Sequence, residues 1–207
     1  MICHSCQTLF VHIPKTAGQS IEQVFLEHVG LDWKRRAPLL LRPRFDGESG
    51  PPRLAHLRVV EYLRYGYITP KRFGMYFTFS IVRNPWDRML SFYRYLGYAE
   101  RMEFDAFIEL FLQKWRQEKH YWFVRPQIDY LTTETGEIGV KYVGRFERLQ
   151  ESFDEICRHL GWESRPLPRS NVSATETASY RTYYTDRTRR IVARIYQRDL
   201  EAFGYRF

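Results

Sequence analysis

Thr8-Leu9-Phe10-Val11-His12-Ile13 is rich in β-branched and apolar residues and reads as a strand; Pro14-Lys15-Thr16-Ala17-Gly18-Gln19-Ser20 follows it as a loop. Beyond the loop, Ile21, Val24, Phe25 and Val29 keep helical spacing until Gly30 stops the pattern. A strand-to-helix junction of this kind favours an anion. The N–H groups of the first helical turn have no partner inside the helix, and the helix dipole adds positive potential there. Lys15 contributes a full charge, Gly18 lets the backbone approach an oxyanion, and Thr16 and Ser20 offer hydroxyl donors. The order is not that of a Gly-x4-Gly-Lys-Ser/Thr loop, because the lysine precedes the only glycine of the segment. An ordinary turn with a solvated Lys15 is the alternative reading.

The same logic repeats downstream. Met75 to Val82 is apolar on almost every residue, as suits a central strand of a parallel sheet covered by helices. Asn84 then reads as an N-cap, with Pro85 at the first helical position and Asp87 near the positive helix end. Arg83 ends the strand, where ligands of open parallel sheets collect. Its planar fork can take a phosphate through two hydrogen bonds. Ser91, in the second turn of the helix, leans back toward the helix start and can converge with Arg83 on one anion. The alternative is an Arg–Asp pair with Ser91 as a filler. Two such loops on two strand ends suggest a ligand with two separated anionic groups.

Outward from these junctions, Arg42 to Arg53 carries many charges and gathers Gly47, Gly50, Pro51 and Pro52, so it is expected as a mobile surface loop. A short helix is expected over Val59 to Tyr65. Another is expected from the spacing of Phe104, Phe107, Ile108, Phe111, Leu112 and Trp115. A third strand is expected over Val140 to Phe146, then a helix burying Phe153, Ile156, Cys157 and Leu160 and ended by Gly161. The last helix runs from Asp186 to Phe203. Strands alternating with helices give an α/β fold, a central mostly parallel sheet flanked by helices.

The chain has 207 residues, which fits a single domain over 1–207. With 44% hydrophobic and 17% aromatic residues, disorder is excluded as a class. Lys and Arg number 32 against 24 Asp and Glu, and the net charge of +8 favours phosphate, sulfate, nucleic acid or an anionic glycan as partner. No apolar run approaches the ~20 residues of a membrane span. Three cysteines are too few for a disulfide scaffold, which points to a reducing compartment. Cys3-His4-Ser5-Cys6 lacks a second cysteine pair, so no metal site is expected.

Taken together, the two loops resemble those of the sulfotransferases. His12-Ile13-Pro14-Lys15-Thr16-Ala17-Gly18 is similar to their 5′-phosphosulfate loop, and Val82-Arg83-Asn84-Pro85-Trp86-Asp87-Arg88 to their 3′-phosphate loop. The wording is nearest the carbohydrate sulfotransferases that include the heparan sulfate 2-O-sulfotransferases. Tyr142 to Leu149, Leu167 to Ser173 and Phe203-Gly204-Tyr205 resemble later segments of the same family. The resemblance implies a P-loop-like sulfotransferase fold. It also implies 3′-phosphoadenosine 5′-phosphosulfate (PAPS) as donor, 3′,5′-adenosine bisphosphate as product, and no metal. Lys15, Thr16, Ala17, Gly18, Gln19, Ser20, Arg83 and Ser91 become the donor-binding residues. Gln19 departs from the usual Thr or Gly of its position.

Sulfuryl transfer needs the acceptor hydroxyl deprotonated as it attacks and charge stabilised on the departing phosphate; positioning and electrostatics do most of the work. Lys15 suits the departing charge. A base titrating near neutrality suits the hydroxyl, and histidine is the natural choice. His4 lies near the terminus, His12 on the first strand is a core candidate, and His28 and His159 sit near helix ends. His120 lies in the aromatic and basic stretch Trp115 to Trp122 and competes as base or groove residue. His56, between the two loops in Leu54-Ala55-His56-Leu57, resembles the family's Gly-His catalytic segment, with Ala55 in place of the glycine. It is taken as the base, against a capping or packing role.

The acceptor, an anionic or neutral carbohydrate, is expected against Arg42, Arg44, Arg53 and the segment Trp122 to Gln127, with Arg125 and Gln127 as contacts. A kinase using ATP and a non-catalytic basic module are the rivals. The first lacks Walker A order and an obvious Mg²⁺ carboxylate; the second leaves the ordered loops unexplained. No nucleic-acid partner is expected. The absence of a signal or anchor in this sequence points to a bacterial-type cytoplasmic enzyme.

Overall fold

The computed structural model describes residues 1–117, 121–168 and 179–207. Four strands, β1 (Ile2–Cys3), β2 (Thr8–Val11), β3 (Phe77–Val82) and β4 (Tyr142–Arg145), form one sheet in the order β1-β2-β3-β4. β1 pairs antiparallel with β2, while β2–β3 and β3–β4 are parallel. The helices are α1 (Gly18–His28), α2 (Val59–Arg64), α3 (Pro70–Met75), α4 (Pro85–Tyr95), α5 (Phe104–Ala106), α6 (Leu112–Gln117), α7 (Tyr121–Val124), α8 (Ile128–Leu131), α9 (Leu149–Leu160), α10 (Asp186–Ile195) and α11 (Gln197–Phe203). This is the expected α/β fold.

The structure departs from the periodicity at several places. Met75 closes α3, which Thr69 caps and Pro70 starts, so β3 begins two residues later than its apolar run. Between α5 and α6 the chain makes a π turn at Phe107–Phe111. The C-terminal helix breaks at Tyr196, whose hydroxyl donates to the Val124 carbonyl at 2.7 Å. Arg42 to Arg53 is a pinned loop. Arg42 grips Glu48 through both guanidinium ends at 2.7 and 2.6 Å, and Pro43 bridges Arg53. The sulfurs of Cys3 and Cys6 are joined, with Cα atoms 5.3 Å apart, a pairing that the low cysteine count did not suggest.

The chain forms two compact units, Met1–Val82 with Asp129–Ser170, and Arg83–Ile128 with Asn171–Phe207. The first holds the sheet. β2 is buried along its whole length, and Phe10 stacks on Phe79 at 4.8 Å; Ile21 and Phe25 of α1 and Ile156 of α9 close the core around them. The second is helical. Met89 and Phe92 of α4 pack with Phe104, Phe107, Val192 and Tyr196. Burying a large apolar side chain contributes ~1.5–3 kcal/mol, so these clusters, rather than helix propensity, hold the short helices in place.

Candidate active site

In the first unit, β2 runs into the lysine loop. Lys15 (φ 69°) and Ala17 (φ 64°) both take the left-handed conformation, with Thr16 between them, and Gly18 begins α1. Left-handed backbone at a non-glycine costs of order 1–3 kcal/mol and persists where the surroundings impose it. Alternation of this kind turns successive N–H groups into a concavity suited to an anion. α1 has no side-chain cap and no acid in its first turn, so its dipole is left available to a ligand. Thr16 is buried and donates its hydroxyl proton to the Ile13 carbonyl at 2.9 Å, so it closes the turn. Ser20 is buried, Gln19 is exposed and Lys15 is half-buried.

Gly18 is required by its neighbour. A Cβ there would fall 2.1 Å from the ring of His12. That ring is buried, and its Nδ1 lies 2.6 Å from the carboxylate of Glu22, itself buried on α1. His56 meets the same place: its Nδ1 lies 3.0 Å from the main-chain carbonyl of His12, and the two rings are 4.3 Å apart. A carbonyl only accepts, so Nδ1 of His56 carries the proton and Nε2 the lone pair of the neutral ring. Burial, and then the electrostatic influence of the His12 ring, hold the His56 imidazole well below the ordinary 6.5; its bond to the carbonyl works in the opposite direction.

Among the described residues, the other histidines are placed for packing. His4 Nδ1 meets the Tyr76 hydroxyl at 2.8 Å, His28 stacks on Trp162, and His159 stacks on Phe77. His120 and the segment from Arg169 to Ser173 lie outside the described residues.

In the second unit, Asn84 caps α4 by accepting from the Trp86 N–H at 3.1 Å, as expected. Arg83 is buried, and its Nε donates to Asp87 at 2.7 Å. Its main chain is held at both ends by Gln127, which accepts from the Arg83 N–H at 2.8 Å and donates to its carbonyl at 2.7 Å. Gln127 is fully buried, so its carboxamide positions Arg83 instead of facing a groove. Behind it, the buried Asp199 accepts from the N–H groups of Gln127 and Ile128 at 2.8 and 2.9 Å. Desolvation raises the Asp199 carboxyl above the usual range against the pull of those donors. Arg125 is half-buried, and its carbonyl accepts from the buried Arg88 at 3.0 Å. Ser91 is half-buried on α4.

Sequence reasoning missed Glu22, Arg88 and Asp199. A signal for Glu22 was present, because Gly18, Glu22, Phe25 and Val29 follow helical spacing on one stripe and the charge interrupts an otherwise apolar or small face. Among the described residues no group of three or more His, Cys, Asp or Glu is arranged to hold a metal ion, and no helix is long and apolar enough to cross a membrane.

A family model described as "Sulfotransferase family" matches residues 1–206. Comparison with curated proteins returns no significant match. Among solved structures, a sulfotransferase from Alicyclobacillus acidocaldarius is similar over 97% of this chain and 96% of its own, with 17% identity and a TM-score of 0.50. At that identity the likeness concerns the fold.

Proposed function

The chain belongs to the sulfotransferase family, and we propose that it moves a sulfuryl group from PAPS to a hydroxyl of a carbohydrate acceptor. The observation that carries this reading is the lysine loop, with two left-handed residues at the head of a helix that has no side-chain cap and no acid in its first turn. These features fit an oxyanion-bearing donor. Lys15 to Ser20 would hold the 5′-phosphosulfate, and Arg83 with Ser91 the 3′-phosphate. When bound, PAPS supplies an activated sulfuryl group. The likeness of the two loop motifs to those of the 2-O-sulfotransferases supports a carbohydrate acceptor.

The chain's own contribution is charge and position. Lys15 places a cation where negative charge builds on the leaving phosphate. His56 accepts the hydroxyl proton at Nε2 while its Nδ1–H stays on the His12 carbonyl. Its lowered proton affinity keeps the base form populated through the neutral range, so the rate should fall only as pH drops below the ordinary histidine value. A cleft of the first unit lined by Arg58, Arg64, Asp129, Thr132, Thr133 and Glu134 offers hydroxyls and charges of both signs to a sugar, with Arg64 paired to Glu134 at 3.0 Å, and Arg58 is two residues beyond His56.

The test is transfer of label from ³⁵S-PAPS to a panel of saccharides, with 3′,5′-adenosine bisphosphate and ATP as competitors. The expected result is labelled saccharide, inhibition by the bisphosphate and indifference to ATP. The His56→Ala variant should lose ~10²–10⁴-fold in kcat and keep its affinity for the bisphosphate. Competition by ATP with no labelled saccharide would overturn the reading.

A further inference from the structure

Three segments meet at His12. It follows the end of β2, its ring packs on Gly18 at the start of α1, and its carbonyl receives the Nδ1–H of His56. The ring has little freedom. Nδ1 is 2.6 Å from Glu22, Phe10 stacks beside it at 5.5 Å, and the His56 ring lies 4.3 Å away. A buried carboxylate is costly without a hydrogen-bonded partner, and breaking such a pair is far more damaging than replacing it whole. Glu22 and His12 take no part in the chemistry described so far, yet they lie behind both the lysine loop and the base.

We propose that Glu22 and His12 are a positioning pair for sulfuryl transfer: the Glu22 carboxylate fixes the His12 ring, the ring sets the height of Gly18 in the lysine loop, and the His12 carbonyl holds His56 with Nε2 as its basic nitrogen. This rests on the function proposed above and deepens it. The arrangement also sets when His56 takes up a proton. His12, the Met1 amine and Arg53 each act electrostatically against protonation of His56, and Glu22 meets the His12 ring from the α1 side. A fixed ring therefore serves both the geometry and the charge state of the base.

The experiment compares Glu22→Ala, Glu22→Gln and His12→Asn in the full chain. It uses kcat and KM for PAPS, the pH profile of kcat/KM, and ¹⁵N NMR titration of His56. Glu22→Ala releases the ring and should lower kcat by ~10–10²-fold, as misplacement by about an ångström does. Glu22→Gln keeps an acceptor for Nδ1 and should recover most of that loss. His12→Asn keeps the main-chain carbonyl and removes the imidazole ring that acts against protonation of His56. The His56 midpoint and the acid limb of kcat/KM should then move up together toward the ordinary histidine value.

A merely structural pair would lower the melting temperature of each variant and leave the His56 titration where it is. An unmoved His56 midpoint in His12→Asn would overturn the proposal. So would Glu22→Gln losing as much kcat as Glu22→Ala. If Glu22→Ala does not fold, the other two variants still decide. If the unmodified protein transfers no sulfuryl group, the functional reading falls, and with it the catalytic role of the pair; the NMR arm then reports only whether His12 governs His56.

Discussion

Replacing Gly18 by alanine tests how the lysine loop is held. The added Cβ would lie 2.1 Å from the His12 ring, whereas ordinary contact begins at 3.4 Å, so the two must separate by about 1.3 Å. The ring cannot retreat easily, because Glu22 holds it at 2.6 Å and His56 and Phe10 flank it. The loop must therefore give. Overpacking of this kind costs ~1–3 kcal/mol of stability. A loop displaced by about an ångström should also lose one charge-assisted hydrogen bond to the 5′-phosphate, roughly 1.5–3 kcal/mol, or on the order of 10–100-fold in Kd. Gly74 in α3 is the control: an added Cβ there meets nothing within 4 Å, so Gly74→Ala should stabilise the protein by ~0.5–1 kcal/mol. Thermal melts and calorimetric titration with 3′,5′-adenosine bisphosphate read both effects. A Gly18→Ala protein with unchanged melting temperature and nucleotide Kd would refute the reasoning.

Arg83→Ala should weaken 3′,5′-adenosine bisphosphate by ~10-fold or more while adenosine 5′-monophosphate changes little, because only the former carries the 3′-phosphate; equal losses in titration would remove Arg83 from that role. Lys15→Ala should lower kcat by ~10²-fold with a smaller change in PAPS Kd, as for loss of an oxyanion donor; single-turnover kinetics separates the two. Glu48 is held down to about 2 from 4.5 by the hydrogen bonds and charge of Arg42, so its stabilising effect is complete above pH 4.5 and lost as pH falls toward 2. Glu48→Gln should flatten the fall of melting temperature across that window, and a wild-type Glu48 that titrates at its ordinary value by NMR would show that the loop is unpinned.

Both junctions were legible because each is written locally. A run of β-branched and apolar residues, a turn marked by Pro14 and Gly18 or by Asn84 and Pro85, and apolar residues at helical spacing follow one another in a single short stretch. β1 has two residues and takes its identity from pairing with β2, so no periodicity could show it. The break at Tyr196 was hidden because Ile191, Ile195 and Tyr196 continue the helical pattern, and the partner of the Tyr196 hydroxyl lies 72 residues away at Val124. His56 could be singled out by the chemistry the reaction needs. What holds it could not, because the acceptor is a main-chain carbonyl 44 residues earlier and a carbonyl has no sequence signature. Gln127 illustrates the converse. Its polar side chain in an aromatic and basic stretch suggested sugar contact, yet burial turns that polarity toward Arg83 and Asp199.

The clasp of Asp199 on Gln127 and Ile128 bears on how the protein is made. Residues 83–128 emerge from the ribosome well before the side chain that satisfies their buried N–H groups. The separation is 72 residues, and at ~5–20 residues per second the wait is roughly 4–14 s. Asn84 waits longer still, since its amide donates to the carbonyl of Arg206, 122 residues on. Through that interval the apolar faces of α4 to α7 lack Val192 and Tyr196, the residues that later cover them. The nascent chain is thus most exposed to chaperones and to self-association late in synthesis, and slowing translation between residues 128 and 199 should lower the soluble yield more than the same delay placed before residue 83.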